Sequence, residues 1–276
     1  MVDFEELKKK ILSMPGVQGV SVEGGRIIVF SDTVNVKSVD GVPVTCLRAG
    51  KPHTMELRMQ SSLVSVRREM WRPLPGGVSV ADAYNTAGTY GMKVKYQGED
   101  VMLSNSHIFT KVGFPVVQPS PSDGGDLRKD YIGTVIKATD INTTTLGLQE
   151  GINTVDAALS SSDVVLSDNI LDIGVVNDYT REDPKMLQTL TKSGRDGTTH
   201  GRVIARNGSF KISYTDLGEA VFDGLIVTTA MAKPGSSGSI GVSNRKAVGL
   251  LFAGSEEVTL FIPMQKVVEK MGIEIG

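Results

Sequence analysis

From residue 75 to residue 262, short runs rich in Val, Ile and Leu are interrupted every 8 to 12 residues by Gly, Asp, Asn or Pro. This punctuation constrains the fold more than any other feature of the chain. An amphipathic helix needs an unbroken repeat of about 3.6 residues, whereas a short strand needs only a few alternating positions between turns. The segments "GMKVKYQG", "GTVIKAT", "HGRVIAR", "SFKISYT" and "DGLIVTTAMA" alternate or are β-branched, and each is bounded by turn formers. An all-β body follows, with sandwich and barrel both open.

Two helices are expected to frame that body. Asp3 to Glu6 has the Asp-x-x-Glu form of a capping box, and Phe4, Leu7, Ile11 and Leu12 share one helical face before Pro15-Gly16 stops the helix. In "VQGVSVEGGRIIVF", Gly24-Gly25 separates two strand-like runs as a two-residue hairpin. Residues 1–50 therefore read as a helix-hairpin module, 51–74 as a polar, partly extended connector, and 75–276 as the main β region. A last helix is expected over 263–271, with Pro263 at its start, an apolar stripe of Met264, Val267, Val268 and Met271, and Gly272 as its stop.

Composition narrows the function classes. Of 276 residues, 29 are Lys or Arg and 31 Asp or Glu, so no basic field invites nucleic acid. One cysteine, Cys46, and three histidines provide no zinc spacing, and neither a metal nor another cofactor is expected. "MVDFEELKKKIL" lacks an apolar signal core, and no run approaches a membrane span. A cytoplasmic protein without a membrane partner is the expectation.

Three places carry candidate chemistry. His107, in "EDVMLSNSHIFTKVG", ends a hydrophobic strand in a polar turn, whereas His53 and His200 sit at Gly- or Pro-marked turns. A histidine acting as a base needs a group that fixes its tautomer. Asp156 in "NTVDAALSSS" and Asp172 in "ILDIGVV" both lie among small or apolar neighbours, and the pattern does not rank them. Gly235-Ser236-Ser237-Gly238-Ser239 precedes an apolar run. It reads either as a plain turn or as a tight loop that presents a serine hydroxyl and two backbone N–H groups to one point.

"LSNSHIF", "NTVDAAL" and "PGSSGSIGV" resemble, in chain order, the His, Asp and Ser segments of chymotrypsin-fold serine peptidases. "VVQPSPSDGG", "KSGRDGTTHGRV" and "AVGLLFAGS" add likeness to the trypsin-like branch found in bacteria and plants. The resemblance covers about residues 72 to 275. It implies two antiparallel six-stranded β-barrels, the first about 75–165 and the second about 185–262, with the site in the cleft between them. His107 would be the base, Asp156 its orienting partner and Ser237 the nucleophile, with the N–H groups of Gly235 and Ser237 forming an oxyanion hole.

One departure from the family pattern is Ser236, where many members have Asp to receive a new N-terminus. The resemblance places the specificity pocket at Met231, Leu251, Phe252, Ala253 and Gly254, a set without an acidic residue, so an apolar or small side chain is expected before the scissile bond. The expected function is a serine endopeptidase acting through an acyl-enzyme on protein or peptide substrates. Two alternatives stand beside it. One is a non-catalytic double barrel that binds peptides; the other is a structural or virion-type protein that cuts itself once, near the Arg67 to Pro75 connector.

Overall fold

The computed structural model describes residues 3–55, 66–145, 148–149, 151–215 and 217–276. The short runs pair antiparallel into two barrels. In the first, the strand order is Gly88–Tyr90, Val78–Asp82, Pro115–Val117, Tyr131–Ala138, Ala158–Ser160, Glu99–Ser104 and Met92–Tyr96. The first and last of these are joined through Gly91, whose N–H reaches the Leu103 carbonyl at 3.0 Å, so the sheet returns on itself as six strands. Leu74, Val80, Met102, Phe109, Val116 and Ile132 fill its interior and are wholly buried.

The second barrel closes in the order Thr189–Gly194, Ile240–Ser243, Lys246–Gly254, Val258–Pro263, Gly218–Thr229 and Gly197–Tyr214, the last pairing back onto the first. Closure removes free edges. The fold is all-β, as expected, and the open choice between sandwich and barrel resolves to a double barrel.

Within residues 1–50 the helix and the hairpin both form. The helix is Phe4–Leu12, with Asp3 Oδ1 accepting from the N–H groups of Glu5 and Glu6 at 3.0 and 3.2 Å. Gly24 and Gly25 turn the hairpin with φ of 54° and 77°, a conformation glycine adopts without steric cost. Val17–Glu23 pairs antiparallel with Gly197–Tyr214, placing Gly19 opposite Phe210 and Ser21 opposite Gly208. The module's sheet is thus continuous with the second barrel. Phe30 and Phe210, both wholly buried, bring their rings to 4.9 Å, and Lys8 Nζ meets Asp223 Oδ1 at 2.7 Å.

In the connector, His53–Thr54 is a strand, Val66–Arg68 a short 3-10 turn, and Leu74–Gly76 pairs with Leu166–Ile170. Its part from 56 to 65, including "SSLVS", lies outside the described residues. The C-terminal helix Met264–Met271 buries Met264, Val267 and Met271 and ends on Gly272 at φ 63°. Beyond it, Glu274 exchanges two backbone hydrogen bonds of 2.9 Å with Lys95, tying the end of the chain to the first barrel. Among the described residues, no helix is long and apolar enough to cross a membrane.

Candidate active site

The strand Glu99–Ser104 runs out into a tight turn, in which the N–H groups of Ile108 and Phe109 both donate to the Asn105 carbonyl. The turn is anchored across the barrel, because Asn105 Nδ2 donates to the Asp156 carbonyl at 2.7 Å. It delivers His107 to Asp156, with His107 Nδ1 2.6 Å from Asp156 Oδ2. The other carboxylate oxygen accepts from the Ser106 N–H at 2.7 Å and the Ser106 hydroxyl at 2.8 Å. Tyr214, from the second barrel, donates its hydroxyl to Oδ2 at 2.8 Å.

Asp156 has no solvent exposure. Burial alone would push its carboxyl upward, but the neighbouring His107 charge and the donors His107, Ser106 and Tyr214 outweigh it and hold the group below the ordinary value. Asp172 is elsewhere. Its side chain is 64% exposed, at φ 61°, and binds Arg67 and Thr198. The two aspartates that the sequence pattern left unranked are therefore separated by environment.

The Gly/Ser cluster makes a tight turn at the mouth of the second barrel. Gly235 and Gly238 have φ of 96° and 95°, and a Cβ on Gly238 would stand 2.1 Å from the Thr89 carbonyl oxygen. Ser237 lies between them, fully buried. Its hydroxyl donates to the Phe252 carbonyl at 3.1 Å, while His107 Nε2 is buried without a hydrogen-bond partner among the described residues. The departure at Ser236 also has a structural replacement. Ser236 Oγ accepts from Lys192 Nζ at 3.1 Å and from the Lys233 N–H at 3.0 Å, and Lys192 is itself buried against Asp196. Beside this pair, Arg195 clasps Asp123 through Nε and Nη2 at 2.6 and 2.5 Å.

The five expected pocket residues surround a segment of the chain itself. His53 pairs with Gly254 and Thr54 with Ala253, antiparallel, along the strand that follows the serine turn. The Met55 N–H donates to the Phe252 carbonyl at 3.3 Å, and the Met55 carbonyl accepts from the Gly235 N–H at 2.5 Å. The Met55 side chain, 3% exposed, packs with Leu190, Met231, Leu251 and Phe261. Gly254 leaves room for it, since a Cβ there would lie 2.9 Å from Met55 Cε. Phe252 contributes its carbonyl to this face, while its ring packs at 4.8 Å on Phe222 in the larger core.

A cavity of about 560 Å³ opens beside His107, lined among others by Tyr84, Phe114, Thr139 and Leu217. No group of three or more metal-ligating side chains exists among the described residues. Sequence reasoning missed Tyr214, Lys192 and Met55. Tyr214 ends the alternating run "SFKISY", and a buried tyrosine hydroxyl needs a partner, which is the signal that could have found it.

No family model and no curated protein matches the sequence. Solved structures do. A Nocardiopsis protease is 16% identical with a TM-score of 0.53, and the match covers 73% of this chain and 98% of that one. An α-lytic protease homologue, N4, is 20% identical at a TM-score of 0.53, covering 72% and 97%. A glutamic-acid-specific serine protease is 18% identical at the same TM-score, covering 74% and 100%. At such identities the likeness is one of fold, and the fold is the double barrel of chymotrypsin-like serine proteases.

Proposed function

We propose that this chain is a serine endopeptidase in which Ser237 is the nucleophile, His107 the base and Asp156 the group that orients the imidazole. The observation that carries this reading is the buried Asp156 carboxylate, held on both oxygens so that Oδ2 engages His107 Nδ1 at 2.6 Å and Nε2 is left for another partner.

In the reaction, the Ser237 side chain turns from the Phe252 carbonyl towards Nε2, gives up its proton there and attacks a peptide carbonyl. The Gly235 and Ser237 N–H groups stabilise the oxyanion, and His107 then returns the proton to the leaving amine. Water, deprotonated by His107, releases the acyl group. Met231 and Leu251 form the apolar wall of the pocket for the side chain before the cut bond.

A peptide-binding module without catalysis is the second reading. It draws support from the Ser237 hydroxyl, which is bonded to Phe252 and not to His107. A fluorophosphonate probe decides between them on the wild-type chain and on Met55→Asp, in which a charge disfavours the apolar pocket. The expected result is one adduct, on Ser237, lost in Ser237→Ala and in His107→Ala, with peptide turnover lowered by roughly 10⁶ in each. Ser236 and Ser239 share the turn and serve as controls. An adduct on either, or on no serine in folded protein, would leave the binding module as the better account.

A further inference from the structure

We infer that the chain is its own first substrate: it cuts the bond between Met55 and Glu56, and the new end at Met55 remains in the cleft as a tethered product inhibitor. This rests on the peptidase reading above. Four contacts of different kinds, three of them made by Met55, converge on the segment 53–55. Residues 53 and 54 pair antiparallel with Ala253 and Gly254, the end of Lys246–Gly254 that Ile240–Ser243 does not reach, which is how an open stretch of strand takes up a peptide. The Met55 N–H is fixed on the Phe252 carbonyl. Its side chain fills the pocket between Met231 and Leu251 and against Gly254. Its carbonyl oxygen is taken by the N–H of Gly235, in the same turn as Ser237.

A strand that merely completed the core would need the first and third of these contacts. It would not need its last carbonyl on a donor of the serine turn. The connector bond expected from the sequence lay between Arg67 and Pro75. There Arg67 is instead bound to Asp172, to Ser193 Oγ at 2.6 Å and to the Gly77 carbonyl at 3.1 Å.

The step balances with water as the one co-reactant. Ser237 Oγ bonds to the Met55 carbonyl carbon as its proton passes to His107 Nε2. The bond from that carbon to the Glu56 nitrogen breaks, and the nitrogen takes the proton and becomes an amino terminus. Water then opens the ester, leaving a carboxylate on Met55 and the hydroxyl on Ser237. Fragment 1–55 stays, because Val17–Glu23 remains paired with Gly197–Tyr214 and the Ser255 hydroxyl donates to the Ala49 carbonyl at 2.5 Å. A tether of this kind holds its end at an effective concentration on the order of millimolar.

The test uses the full chain. Intact-mass analysis and N-terminal sequencing are expected to find fragments 1–55 and 56–276, co-eluting on size exclusion in native buffer and separating in denaturant, while Ser237→Ala stays at full mass. Met55→Asp is expected to remain uncut and to hydrolyse a peptide with Met before the scissile bond about 100-fold faster than the plugged wild type. Met55→Gly, checked by circular dichroism, repeats the comparison should the aspartate unfold the chain. If Ser237 takes the fluorophosphonate and Met peptides are cleaved while the wild-type chain keeps its full mass, self-cleavage is overturned and the peptidase reading stands. A cut elsewhere, between Arg67 and Pro75 for instance, also overturns it. If folded Met55→Asp and Met55→Gly neither label nor hydrolyse, the peptidase reading fails and takes this inference with it.

Discussion

Tyr214 and His107 converge on one oxygen, with the phenol 2.8 Å and Nδ1 2.6 Å from Asp156 Oδ2, and their rings meet edge to face at 5.8 Å and 84°. The phenol comes from the second barrel and the carboxylate from the first, so the tie spans the cleft. Tyr214→Phe removes a hydrogen bond to a buried charge while Ser106 and His107 still hold Asp156. We expect a loss of about 1.5–3 kcal/mol in urea unfolding. Peptide turnover is expected to fall roughly tenfold, or about 1.4 kcal/mol of barrier, with KM little changed. Unaltered kcat would remove Tyr214 from the site.

Replacing Asp156 by Asn keeps its shape and puts the imidazole in the wrong tautomer, so turnover is expected to fall by about 10⁴. Asp172→Asn, at an exposed position away from the imidazole, is expected to stay within a few-fold of wild type; the reverse pattern would exchange their roles. Acid stability provides a second readout. Because the folded carboxyl of Asp156 lies below the ordinary 3.8, its contribution is complete above that value and is lost as pH falls through the lower folded one. Urea midpoints from pH 6 down to about 2.5 should therefore drop below about pH 4 in the wild type, and less steeply in Asp156→Asn.

The Ser236 hydroxyl links Lys192 to the Lys233 N–H. Ser236→Ala should loosen the turn that aims Gly235 and Ser237. The expected effect on kcat is about tenfold, smaller than the 10²–10³ that follows loss of an oxyanion donor itself. Lys192→Met, by contrast, strands Asp196 as a buried charge and should cost about 3–5 kcal/mol of stability. Steady-state kinetics and denaturation separate the two effects; a Ser236→Ala chain with unaltered kcat would show that the turn holds itself.

Phe30 belongs to the module and Phe210 to the second barrel. Phe30→Ala opens a cavity at their contact and should cost about 3–5 kcal/mol. If module and barrels unfold as one body, fluorescence of Trp71, which packs on the first barrel, shifts to lower urea together with far-UV circular dichroism. Two separated transitions, with the Trp71 signal unmoved, would make the module an independent unit.

How much of this was legible in the sequence depended on range. The turn glycines at 24, 25, 235 and 238 announce backbone conformations that side chains resist, and local periodicity is enough to place Phe4–Leu12 and Met264–Met271. His107 stood out because it ends a hydrophobic strand in a polar turn, Asp156 because it lies among small and apolar neighbours, and Ser237 because it sits in a Gly/Ser cluster just before an apolar run. Tyr214, Lys192 and Met55 did not, since each looks ordinary beside its chain neighbours and acquires its role from a partner far along the chain. Met55 lies 180 residues before Gly235, and no local pattern encodes a backbone hydrogen bond across that interval.

One strand, Gly197–Tyr214, carries four further attachments besides its long pairing with Gly218–Thr229: barrel strand Thr189–Gly194 near its start, the module at 208–210, His53 at Ser213, and Asp156 at the terminal tyrosine. Its pairing is bulged between Val203 and Phe210 and regular from Phe210 to Tyr214, so this last stretch acts as a short beam with the module clamped at one end and the carboxylate at the other. A load on the module is therefore expected to reach the cleft through Phe210 to Tyr214, and with it Asp156 and the ring of His107.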